Sequence, residues 1–204
     1  AEFAVVPLFV LMGNFITRAG LADELYSAAY AWIGHKRGGL AMATILSCGG
    51  FSAVCGSSVA TAATMARVAM PPMRKFNYED SLATGSIAAG GTLGILIPPS
   101  VILVIYGIMT STDIGALFIA GILPGFLSIV GYVIAIMIIT KLRPQIGPPG
   151  DRLAWRDKFR ALSKVWGVLA LFILVIGGIY LGLFTPSEAA GIGACGAFFF
   201  ALFR

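Results

Sequence analysis

Two apolar stretches decide what this chain can fold into, because each is too long for one membrane crossing and each is interrupted near its middle. The first covers residues 39–73 and is broken at Cys55-Gly56-Ser57-Ser58; the second covers 82–110 and is broken at Gly94-Ile95-Leu96-Ile97-Pro98-Pro99-Ser100. A helix rises about 1.5 Å per residue, so roughly 20 residues cross a hydrocarbon core about 30 Å thick. His35-Lys36-Arg37 precedes the first stretch and Arg74-Lys75 follows it. Basic loops stay on the cytoplasmic face, so both ends lie on one side, and the stretch makes an even number of crossings or a hairpin that enters and returns. Gly56-Ser57-Ser58 is then its tip. Irregular backbone at membrane depth is tolerated only where it lines a protein cavity or holds a ligand.

Composition fits burial in lipid. Hydrophobic residues make up 58% and charged residues 11%, and the mean hydropathy of +0.93 is that of a polytopic membrane chain. The formal charge of +5 does not point to nucleic acid, because the basic residues gather in loops and form no aromatic-interleaved patch. Cys48, Cys55 and Cys195 stand singly in apolar surroundings, without metal or disulfide spacing. The chain starts without Met and stops inside an apolar run, and it reads as a piece of a longer protein.

Taken in order, residues 1–38 read as an apolar helix followed by an interfacial arm. The apolar part, 3–17, is expected to break at Pro7 and at Gly13-Asn14, and the arm covers 21–33. Asn14 is either a ligand or a packing residue. Residues 39–73 form the hairpin. Its lone charge, Arg67, snorkels, pairs with a carbonyl or meets substrate. Asp80 or Ser81 is expected to cap the next helix. Residues 74–113 contain the discontinuous transmembrane helix, and 114–140 the next crossing, with a kink expected at Pro124-Gly125. Residues 141–164 are a basic cytoplasmic linker carrying seven Lys or Arg residues. Residues 165–204 hold a spanning helix over 165–184 and then Thr185-Pro186-Ser187-Glu188, with Thr185 as cap, Pro186 at the first helical position and Glu188 closing a capping box. The likeness of residues 94–100 to 182–187 hints at an internal repeat.

Discontinuous helices expose half-helix ends and unwound carbonyls to ligands. Pro98 and Pro99 lack N–H groups and leave preceding carbonyls unpaired. The hydroxyls of Ser52, Ser57 and Ser58 with carbonyls around Gly56, Gly94 and Ile97 are therefore candidate ligands for Na⁺. The alternative is that these are only small residues at tight helix crossings. An intramembrane enzyme using Ser57 or Ser58 as nucleophile lacks an evident base, since the single His35 sits beside Lys36 and Arg37. No Gly-x-x-x-x-Gly-Lys occurs, so ATP is not this chain's energy source.

The run from Phe51 to Ala63, then Gly94-Ile95-Leu96-Ile97-Pro98-Pro99-Ser100 with Ile105-Tyr106-Gly107, resembles the large membrane subunit of tripartite ATP-independent periplasmic (TRAP) transporters. So do Pro7-Leu8-Phe9, Ala120-Gly121-Ile122-Leu123-Pro124-Gly125 and Phe184-Thr185-Pro186-Ser187-Glu188-Ala189-Ala190. The resemblance implies an all-α polytopic membrane protein of the bacterial inner membrane: an elevator-type transporter with a re-entrant hairpin, a discontinuous helix and inverted repeats. It implies Na⁺-coupled import of organic acids such as C4-dicarboxylates or sialic acid. A periplasmic binding protein would deliver the substrate, and a small membrane subunit would complete the complex. Ser52, Gly56, Ser57, Ser58, Gly94 and Ile97 would then serve Na⁺. Ser57, Ser58, Thr61, Thr92, Pro98 and Pro99 would border the substrate, and 184–190 would open the second repeat. Arg67 and Pro72 depart from the pattern at the hairpin exit.

Overall fold

The computed structural model describes residues 5–202. Its helices are α1 (Val5–Arg18), α2 (Leu21–Ile33), α3 (Gly39–Cys55), α4 (Ser58–Lys75), α5 (Asp80–Leu96), α6 (Val101–Thr110), α7 (Ile114–Leu142), α8 (Trp155–Lys164), α9 (Trp166–Phe172), α10 (Gly178–Tyr180) and α11 (Pro186–Leu202). Three helical runs, Asp80–Thr110, Ile114–Leu142 and Trp155–Tyr180, are long and apolar enough to cross a membrane. The pair α1 and α2, bent by 64°, makes a fourth if it is one span.

The hairpin arms are α3 and α4, separated only by Gly56 and Ser57. Both arms start and finish at the same end of the molecule, and hydrogen bonds fasten them there. The Gly38 N–H donates to the Gly147 carbonyl (2.9 Å) and the Glu79 N–H to the Ile146 carbonyl (3.0 Å). The Gly150 N–H reaches the Gly34 carbonyl at 2.8 Å. The loops bearing His35-Lys36-Arg37, Arg74-Lys75 and residues 141–151 are thus neighbours, as the shared-face argument requires. The buried Tyr78 hydroxyl accepts from the Leu40 N–H at 3.1 Å, satisfying one donor in the first turn of α3. Tyr78→Phe should lower stability by about 1–3 kcal/mol, because that donor is left unpaired away from water. Denaturant titration of the full-length subunit in detergent would measure it.

Several local expectations change. α1 runs unbroken through Pro7 and Gly13-Asn14. Pro7 falls in the first turn, where a helix makes no use of its N–H, and Gly13 is a contact point, since a Cβ there would sit 2.8 Å from the Cys55 Sγ. Phe3 lies outside the described residues. α7 carries Pro124 inside one helical run, where a proline kink falls. Neither Asp80 nor Ser81 caps α5: Glu79 holds the N-cap position without a side-chain cap, and Ser81 donates to the Glu79 carboxylate at 2.7 Å. The last ten residues of the basic linker are helix α8. Its Trp155 and Phe159 pack edge-on against Trp32 of α2, with ring centroids 6.1 and 5.9 Å away. The apolar positions Trp155, Phe159 and Leu162, three to four residues apart, gave the helical signal that the charges obscured.

Residues 165–184 form α9 and α10 joined by a π-helical turn, Ile173–Gly177. α11 opens with the expected capping box. The Thr185 N–H donates to the Glu188 carboxylate at 2.8 Å, and the Glu188 N–H returns to the Thr185 hydroxyl at 3.3 Å.

Candidate functional site: two helix breaks in contact

The hairpin tip sits directly in the break between α5 and α6. At the tip, Gly56 adopts φ 66°, a left-handed conformation that glycine adopts at little cost. Ser57 is the N-cap of α4, its Oγ accepting from the Ala60 N–H at 3.4 Å. The Ser57 carbonyl accepts from the Thr61 hydroxyl at 2.8 Å, so the buried Thr61 braces the tip from the first turn of α4.

The opposing break follows from the prolines. Gly94 and Ile95 would pair with N–H groups at positions 98 and 99, which prolines lack. The Ser100 hydroxyl takes up the Ile95 carbonyl at 2.8 Å and accepts from the Leu103 N–H, capping α6. Val101 gives its N–H to the Gly56 carbonyl of the tip (3.2 Å). The Gly94 and Ile97 carbonyls therefore lose their regular helical partners: position 98 has no N–H to give, and the N–H of Val101 goes to the tip.

Glycines set how closely these backbones meet. A Cβ on Gly94 would lie 2.7 Å from the Ser57 oxygen and 2.8 Å from the Ser58 nitrogen; one on Gly56 would lie 2.6 Å from the Pro99 oxygen. Four helix ends converge as a result. The N-termini of α4 and α6 bring positive partial charge, which favours an anion, and the C-termini of α3 and α5 bring carbonyls, which favour a cation. Ser52 stands one turn before the tip, fully buried, and its Oγ has no hydrogen-bond partner among the described residues. A desolvated hydroxyl without a partner is costly, and it is an oxygen of the kind that Na⁺ takes.

Of the candidate residues, the structure brings Gly56, Ser57, Ser58, Gly94 and Pro99 into contact, with Thr61 and Ser52 within a turn of them. Ile97 and Pro98 line the same break and face α7. Thr92 stands apart: it is exposed and its hydroxyl meets the Tyr132 hydroxyl of α7 at 3.0 Å. The contribution of α7 was not foreseen. A Cβ on Gly121 would lie 2.7 Å from the Leu96 oxygen, and one on Gly125 would lie 2.8 Å from Ile97 Cγ1. The Gly-x-x-x-Gly spacing was the available signal, since it lets a helix approach another backbone closely.

A hairpin that returns to the side it entered, its tip seated in a broken span, defines a multi-pass helical membrane protein with an internal helix break. Comparison with known sequences gives the family. The model for the tripartite ATP-independent periplasmic transporter, DctM component, matches residues 1–204, and the chain belongs to that family. It is 42% identical over 199 residues to the C4-dicarboxylate TRAP transporter large permease protein DctM of Pseudomonas aeruginosa, covering 97% of this chain and 46% of that protein. It is 39% identical to the ectoine TRAP transporter large permease protein TeaC of Halomonas elongata, over 93% of this chain and 44% of the relative. The sialic acid TRAP transporter large permease protein SiaM of Vibrio cholerae is 37% identical, over 95% and 45% respectively. The chain thus spans under half the length of these relatives. The family is one of transporter components and not of enzymes, which sets aside the reading of Ser57 or Ser58 as a nucleophile.

Proposed function

We propose that this chain is part of the large permease subunit of a Na⁺-coupled secondary transporter that imports organic acids across the bacterial inner membrane, and that it carries one of the Na⁺ sites beside the substrate. The observation that carries this reading is the convergence of four helix ends where the hairpin tip meets the α5–α6 break. Carbonyls at Gly56, Gly94 and Ile97, with the hydroxyls of Ser52, Ser57 and Ser58, suit Na⁺. The N-terminal ends of α4 and α6 suit a carboxylate beside it, bordered by Thr61, Pro98 and Pro99. C4-dicarboxylate and sialic acid in the names of relatives support the substrate class. In this reading a small membrane subunit and a periplasmic binding protein complete the transporter, and an elevator motion with inverted repeats moves the site across the bilayer.

Thermal unfolding of the full-length subunit, titrated with Na⁺ against K⁺ at constant ionic strength, tests the ion site. An ion that binds only the folded state at ~100 times its Kd adds about 2.7 kcal/mol. The expected result is a Na⁺-specific rise in Tm that Ser57→Ala and Ser58→Ala diminish. Equal Tm in both salts, unchanged in the variants, would reduce the cluster to helix packing.

A further inference from the structure

A polar groove of about 460 Å³ lies between α1, α2 and α4, with exposed Asn14, Arg18, Asp23 and Arg67 along it, half-buried Thr17 beside them and buried Thr64 at its base. Two arginines, on different helices, line it with a single carboxylate. Arg67 stands midway along α4, nine residues past Ser58, and Arg18 ends α1. The Thr17 hydroxyl is used locally, donating to the Gly13 carbonyl at 2.8 Å. Among the described residues, no side-chain hydrogen bond or ion pair engages Asn14, Thr64, Arg18 or Arg67, whereas Arg74 pairs with Asp80. Asp23 is in the first turn of α2, where the helix dipole favours its charge.

We infer that Arg18 and Arg67, with Asn14 and Thr64, form a binding site for the carboxylate of an organic anion, separate from the hairpin tip and on the side of the basic loops. Guanidinium groups hold carboxylates through paired, charge-assisted hydrogen bonds, and an arginine within a membrane protein is retained where it meets a counter-charge or a watery cavity. The position suits a staging site. Asn14 follows Gly13, which packs on Cys55 next to the tip, and Thr64 and Arg67 lie on α4, the arm that starts at the tip, so these donors stand on the helices that flank it. The site contains none of the candidate Na⁺ ligands, so it binds anions without Na⁺. The inference rests on organic acids being the substrates, but not on the assignment of the ion site.

The test is succinate binding by calorimetry to the full-length subunit in Na⁺-free choline chloride buffer, with succinamide as the uncharged control. Succinate is expected to bind, succinamide is not, and Arg67→Gln should weaken binding by about tenfold or more, with Arg67→Lys, which keeps the charge but loses the paired geometry, in between. Gly131→Val, in open space on α7, should leave this binding unchanged. As a second readout, Asn14→Cys in a Cys195→Ser background should label with a maleimide more slowly when succinate is present. Absence of Na⁺-free succinate binding, or unaltered binding in Arg67→Gln with no protection at position 14, would overturn the site. Loss of the Na⁺-specific Tm shift with these results intact would overturn only the ion assignment.

Discussion

Gly94→Ala should abolish transport by the assembled permease while the protein still inserts in the membrane. The added methyl has nowhere to go: its contacts are the Ser57 carbonyl and the Ser58 nitrogen, both under 3 Å and both backbone. No side chain can rotate aside, so α5 or the tip must shift by several tenths of an ångström. Overpacking of this kind costs about 1–3 kcal/mol, and the displacement falls on the junction where the helix ends meet. Gly56→Ala should be still more damaging, because it adds a left-handed backbone penalty of about 1–2 kcal/mol to a methyl facing the Pro99 oxygen. Gly85→Ala is the control. It lies in the same helix with nothing within 4 Å of the new Cβ, so it should be neutral or stabilise by up to about 1 kcal/mol through helix propensity. Uptake of labelled substrate into proteoliposomes, with Tm measured beside it, separates the cases. Full uptake by Gly94→Ala would mean that the tip and the break are not held together during transport.

Gly121→Val should also remove uptake, from the opposite side of the break. Its Cβ would lie 2.7 Å from the Leu96 oxygen, so the branched side chain pushes α7 off the end of α5. The effect should spread to Ile97, whose side chain also packs against Gly125. A loss of about 1–3 kcal/mol is expected, with uptake falling further than stability because the carbonyls of the break are re-aimed. Gly131→Val lies on the same helix with open space around it and should retain uptake. Should Gly121→Val transport normally, α7 would be a wall of the molecule and not a support of the site.

The hairpin and the broken helix were legible because their signals are stark: charge clusters at both ends, Gly-Ser at one tip and Pro-Pro at the other. Thr185 and Glu188 were legible because a capping box is local. What failed was the reading of single breakers. Pro7 and Gly13 suggest interruption, yet a proline in a first turn and a glycine against a neighbour are both compatible with a straight helix. Charge hid α8, since seven basic residues over 141–164 look like loop until the aromatic spacing is counted. Thr92 has the right residue type in the right helix, but two residues of helical rotation separate it from Gly94 and turn it toward Tyr132. Arg67 was visible as an oddity, while its neighbour across the groove, Arg18, emerges only when α1 and α4 are placed side by side.

The three main-chain hydrogen bonds from residues 146–150 tie the beginning of α3, the beginning of α5 and the end of α2 to the segment leaving α7. Mechanically they act as rivets through one plate. Any displacement of the hairpin along the membrane normal must drag the foot of α7 with it or shear all three at once. The segment between α7 and α8 is therefore fastened to the same body as the hairpin, and Asp151, whose N–H donates to the Tyr30 hydroxyl at 3.1 Å, carries that fastening up to the start of α8.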